Sequence, residues 1–169
     1  MEFNINNITS LIGIFVSVFL VVFLFSSKKK VSNYFLAAYL ICLAIDIGAG
    51  FMTIYVHPYF PKLGIFLSLS IYFVPPLLYF FIKSTVYKDF KLSYRTFLHT
   101  LPFILVNIIL IPHFYLWDFD DGNVWEITDS FFFVYLIPSI YISLHILSFL
   151  YLLLSFFILF AFDFHIRKN

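Results

Sequence analysis

Charge is scarce in this sequence. Of its 169 residues only 11% are Asp, Glu, Lys or Arg, where an ordinary soluble domain carries roughly a quarter. Most of such a chain cannot be wetted, so a water-soluble globular domain is excluded. Cysteine occurs once, as Cys42, which rules out an intrachain disulfide and a cysteine-rich metal site. A basic excess is missing as well: 10 Lys and Arg against 9 Asp and Glu leave a net charge of +1. That is too little for the positive surface that direct nucleic-acid contact needs. The sequence also lacks paired carboxylates, a Ser/His/Asp set and a glycine-rich phosphate cradle at useful spacing. Neither an enzyme nor a cofactor is therefore expected. Internal repeats and polar low-complexity linkers are absent too, and residues 1–169 read as one domain.

What is present is apolar. Hydrophobic residues make up 63% of the chain, with 26 Phe and 12 Tyr spread along it, and the mean hydropathy is +1.01. The bilayer core is about 30 Å thick and a helix rises about 1.5 Å per residue, so a crossing takes roughly 17 to 25 apolar residues. Five runs qualify: Ile8 to Phe25, Asn33 to Val56, Leu63 to Ile82, Leu98 to Leu116, and a long one from near Phe131 to near Phe162. The last leaves no room for a polar loop and reads as one tilted helix, with Asp129 or Ser130 available to cap it. Glu2 precedes the first run, and Lys28, Lys29 and Lys30 follow it. This is the reverse of a secretory signal, so the run is retained as a span. Pro75, Pro76 and Pro138 kink helices without removing them.

Lys and Arg in short loops stay on the cytoplasmic side. Taking alternate connections together puts Lys28, Lys29, Lys30, Lys83, Lys88, Lys91, Arg95, Arg167 and Lys168 on one side. Lys62 falls on the other, with Glu2, Asp118, Asp120, Asp121, Glu126 and Asp129. The fold expected is thus an all-α polytopic membrane helix bundle of five transmembrane helices, N-terminus outside and C-terminus inside. Trp117, Trp125 and Tyr115 at the outer face, and Tyr34, Tyr87 and Tyr94 at the inner span ends, suit the headgroup level.

Asp46 is the acidic residue deep inside a predicted span, where a charge costs several kcal/mol unless protonated, hydrated or paired. Span midpoints put Asp46, Tyr72, Asn107 and His145 at one depth. Facing inward together they would form a polar layer, serving as a proton-sensitive switch or small-ligand pocket, or simply as hydrogen-bond glue between helices. Cys42, Ala49, Gly50 and Thr53 share a face around Asp46, and Ala44 with Gly48 makes a small-xxx-small pair for close packing, within the chain or against a second copy. His57, His113 and the acidic stretch Asp118 to Asn123 invite a metal reading. The glycine of that stretch is at the fifth position instead of the sixth, so no calcium loop is expected.

Three segments look familiar. Ser27-Lys28-Lys29-Lys30-Val31-Ser32-Asn33-Tyr34-Phe35-Leu36-Ala37 leads into the second helix. Pro76-Leu77-Leu78-Tyr79-Phe80-Phe81-Ile82-Lys83-Ser84 is similar to a "GPLLYLY" segment. Phe90-Lys91-Leu92, then Phe97-Leu98-His99-Thr100-Leu101-Pro102-Phe103, resembles an "HxxPF" lead into a fourth helix. Together they resemble the N-terminal multispanning membrane domain of AraC-type, helix-turn-helix transcriptional regulators of Bacteroidetes-like bacteria, with Pro76, Tyr79, His99 and Pro102 as the shared positions. Pro75 stands where that family usually has glycine, and the sequence stops at Asn169 without DNA-binding helices.

The resemblance implies a sensory or input module in the bacterial cytoplasmic membrane, truncated or stand-alone, with no nucleic-acid binding of its own. Its partners would be the lipid bilayer and either a second copy or a cytoplasmic regulator domain, its ligand being unidentified. A small transporter or channel subunit with a polar mid-membrane path, and a structural scaffold, are the alternatives.

Overall fold

The computed structural model describes residues 5–27, 30–87, 89–111 and 135–168. Among these residues there is no strand, and up to Leu110 the helices follow one another with short connections between them. Helix α1 is Ile5–Ser26. Its last turn is closed by side chains, with Ser26 Oγ donating to the Val22 carbonyl and Ser27 Oγ to that of Leu24, each at 3.0 Å. Asn33 of α2, Val31–Ile47, donates to Ser27 Oγ at 2.8 Å, which joins the first turn of α2 to the end of α1.

Helix α2 does not run straight to Val56 as its hydropathy predicts. It stops at Gly48, and α3, Ala49–Val56, leaves at 52°. Gly48-Ala49-Gly50 is the weakest helix-forming triplet of the segment, since glycine costs about 1 kcal/mol against alanine. The position is also closely packed: a Cβ at Gly48 would lie 3.1 Å from the Ala44 carbonyl oxygen and in ordinary contact, at 3.4 Å, with Ile14 Cδ1 of α1. From Met52 to Val56 the chain widens into a π-helical turn.

Helix α4, Pro61–Val86, spans 26 residues and changes character in the middle, where Leu69–Phe73 is a 3₁₀ segment. Pro75 and Pro76 explain it. Without N–H groups they leave the carbonyls of Ile71 and Tyr72 without their usual donors, and the preceding turn tightens. A turn at Tyr94–Phe97 leads into α5, Leu98–Leu110, which opens with a 3₁₀ turn over Leu98–Thr100; Pro102 lies in the first turn of its α-helical part, Leu101–Leu110, where a missing donor costs nothing. Helix α6, Ile137–Lys168, has 32 residues and is about 48 Å long.

Helix α4 is the hub. Its second half packs on α2 on one side and α6 on another, α1 lies outside α2, and α5 rests on the 3₁₀ segment. The core between α4, α5 and α6 is Ile65, Tyr72, Val106, Leu110 and Leu144. The outer faces are apolar instead of polar. Phe15 is 71% exposed, and Phe149, Leu152, Phe156 and Phe160 of α6 are also exposed. Only 11% of the most apolar window of α1, and the same share in α6, is buried. A water-soluble monomer rarely exposes apolar patches beyond a few hundred Å², so lipid is the surrounding this surface fits.

Three helices are long and apolar enough to cross a bilayer, Ile8–Ser26, Pro61–Val86 and Ile137–Phe164, or four if the bent pair Val31–Ile47 and Ala49–Val56 is one span. Leu98–Leu110 is shorter. The remainder of the expected span to Leu116, the expected start near Phe131, and the outer-loop residues Tyr115, Trp117 and Trp125 lie outside the described residues.

Candidate functional site

Among the described residues, polar contacts at two levels tie α6 to α4 and α5. In the first, Tyr72, only 3% exposed, directs its hydroxyl from the 3₁₀ segment of α4 onto the start of α6. Its oxygen is 2.6 Å from the Ile140 carbonyl oxygen and 2.7 Å from Ser143 Oγ, while Ser143 Oγ is itself 2.7 Å from the same carbonyl. Two hydroxyl protons serve three short contacts, so the carbonyl is satisfied whichever hydroxyl donates, and the three oxygens form one closed unit.

The second contact lies about two turns further along α6. Tyr151, 7% exposed, shares a hydrogen bond between its hydroxyl and His99 Nδ1 of α5. Its ring meets that of Tyr79 of α4 edge-on, centroids 5.7 Å apart. The His99 ring stands edge-on to Phe80 at 4.8 Å. Lys83, one turn beyond Tyr79, donates to the Tyr79 hydroxyl at 3.4 Å with its ammonium 5.4 Å from that ring's centroid. Three helices thus converge on one aromatic cluster with a cation at its edge.

Of the shared motif positions, Tyr79 and His99 meet in this cluster. Pro76 is buried at the start of the second half of α4, and Pro102 opens Leu101–Leu110. Tyr151 is the member that the sequence does not reveal, as one of many aromatics in a long apolar run.

The expected layer of Asp46, Tyr72, Asn107 and His145 is not formed. Asp46 and His145 are exposed, and Asn107 turns back to donate to the Phe103 carbonyl at 2.9 Å in its own helix. The reason for Asp46 is the break at Gly48, which shortens the straight helix so that the carboxylate belongs to its end and not its middle. For His145 the error is one of face: two residues along a helix turn it by about 200°, and Ser143 is the residue that faces Tyr72.

The small residues divide. Ala44 and Gly48 line the α1–α2 groove, while a Cβ on Gly50 would meet nothing within 4 Å. Gly13 of α1, which pattern reading passes over, would bring a Cβ to 3.2 Å from Ile47 Cγ2. The His57 ring lies against Gly64, with both ring nitrogens buried and without a hydrogen-bond partner among the described residues. His113 and the Asp118 to Asn123 stretch lie outside those residues.

No protein-family model matches this chain, and neither a curated protein nor a solved structure does.

Proposed function

We propose that the chain is a membrane-embedded signal-input module of the kind carried by AraC-type regulators, with five crossings, the N-terminus outside and the C-terminus in the cytoplasm. What supports the orientation is the separation of nine of the ten basic residues from the acidic outer stretch. What supports the input role is one relationship. Tyr72, in the 3₁₀ turn before Pro75-Pro76, and Tyr79, after the pair, both make contacts to α6. Their partners Ser143 and Tyr151 are about 12 Å apart on an unbroken helix. A change of angle at the proline pair therefore tilts or slides α6 as a rigid rod. Motion of packed helices about such a hinge is a recognised way to carry a signal across a bilayer.

Transcript profiling of a deletion strain tests the reading, complemented with the wild type or with Tyr72→Phe. A dependent gene set, restored by the first and not by the second at equal membrane levels, is expected. A helix-turn-helix reading frame directly downstream, in or out of frame, would agree. An unchanged transcript profile on deletion would sink the proposal.

A small transporter or channel subunit is the second reading, and the 52° break between α2 and α3 favours it. Interrupted helices supply free backbone groups for ion or solute sites. Flux through reconstituted vesicles that Asp46→Asn abolishes would decide for it.

A further inference from the structure

A second polar feature adjoins the aromatic cluster and shares His99 and Lys83 with it. Between the end of α4 and the turn leading into α5 is a cavity of about 240 Å³. Its polar lining is Lys83, Lys91, His99, Ser93 and Thr96, and no carboxylate lines it. Every one of these side chains can donate a hydrogen bond. The Ser93 backbone N–H donates to Thr96 Oγ1 at 3.4 Å, which occupies that oxygen as an acceptor and leaves its proton for a ligand. Tyr151 occupies Nδ1 of His99 and leaves Nε2. Two ammonium groups and up to three further donors, with no carboxylate among the lining residues, are the complement of a tetrahedral oxyanion.

The rim identifies the kind of anion. Tyr94 and Phe97 are 74% and 72% exposed, with Leu92 and Leu98 exposed beside them, so apolar surface adjoins the donors. Phe90 is the wall shared with a second cavity of about 430 Å³ that contains Lys30, Ser32, Ser84 and Thr85. Cations and hydroxyls at the ends of apolar helices, beside exposed aromatics, match the level at which a lipid's phosphate meets its acyl chains.

We propose that this cleft binds the phosphodiester of an anionic phospholipid, its phosphate oxygens on Lys83, Lys91 and Thr96 and its glycerol and acyl portion along Phe97 and Leu98. The inference depends on the chain residing in a bilayer and not on the input role. In the orientation above, the lipid belongs to the inner leaflet.

The test is lipid retention by the full chain. Protein in nanodiscs of phosphatidylcholine doped with phosphatidylglycerol is extracted gently, and the lipid carried along is measured by native mass spectrometry. Phosphatidylglycerol is expected to be enriched over phosphatidylcholine, about five-fold less so in Lys83→Gln or Lys91→Gln and about 30-fold less in the pair. Lys62→Gln, an equal loss of charge on the opposite connection, should leave the enrichment unchanged. Should the double variant not fold, Lys91→Gln alone, altering an exposed side chain, decides.

Equal retention of the two lipids overturns the proposal, as does an equal effect of Lys62→Gln. Inorganic phosphate added during extraction distinguishes the source of the anion. If millimolar phosphate strips the lipid completely, the cleft is a site for a free anion and the lipid assignment fails. Retention in its presence supports the lipid.

Discussion

The Tyr72 hydroxyl lies 2.7 Å from Ser143 Oγ, joining residues 71 positions apart, and both oxygens converge on the carbonyl of Ile140. The unit is asymmetric. Without Tyr72, Ser143 still donates to the carbonyl within its own helix. Without Ser143, Tyr72 still crosses to α6.

Tyr72→Phe should therefore cost more than Ser143→Ala. Hydrogen bonds between membrane helices are worth about 0.5 to 1.7 kcal/mol, so a loss in that range is expected for Tyr72→Phe and a smaller one for Ser143→Ala. Unfolding in mixed micelles measures both. The double variant should resemble Tyr72→Phe alone, and fully additive losses would contradict the closed unit.

The His99–Tyr151 pair is expected to be coupled. A double-mutant cycle with His99→Phe and Tyr151→Phe keeps the aromatic packing against Tyr79 and Phe80 and removes only the polar contact. A coupling of about 0.5 to 2 kcal/mol should appear. Zero coupling would mean that ring packing alone holds the cluster.

Gly64 and Gly50 should respond oppositely to alanine. A Cβ at Gly64 would fall on the His57 ring, so Gly64→Ala must displace the imidazole, with a cost of about 1 to 3 kcal/mol. Labelling with diethyl pyrocarbonate should then become faster at His57. Gly50→Ala meets open space and should be neutral or stabilising by up to about 1 kcal/mol.

Asp46→Asn should leave folding stability unchanged or raise it, because a carboxylate exposed within a span carries a desolvation cost that the neutral amide reduces. Unfolding in the same micelles checks this. A loss of several kcal/mol would show that the carboxylate has a structural partner after all.

Reporter fusions in the Lys28 connection and in the Asp118 stretch should report opposite compartments. A shared compartment would contradict the five-crossing topology.

Hydropathy made the helical character and the apolar exterior legible, because both are sums over many residues. Orientation about a helix axis was harder to read. His145 and Ser143 are equally plausible by depth, and an apolar helix such as α6 has no polar stripe to say which face points inward. The break at Gly48 was hidden because a glycine inside an apolar run is often carried within a straight helix, and hydropathy does not say where the helix will bend. Tyr79 and His99 could be singled out as positions because their segments are distinctive, yet Tyr151, which joins them, is embedded in a run of similar residues. The proline pair was readable as a disturbance, but its placement between the two residues that hold α6 was not.

The apolar part of α6, Ile137–Phe164, has 28 residues, about 42 Å of helix facing a hydrocarbon layer of about 30 Å. An upright rod of that length would push greasy side chains into headgroups at one end or both. Tilt and local thickening of the layer together take up the excess, and the balance between them changes whenever the layer thickens or thins. Since α6 meets α4 through Ser143 and Tyr151, that change reaches α4 before and after its proline pair, and in the proposed input role bilayer thickness would itself load the hinge.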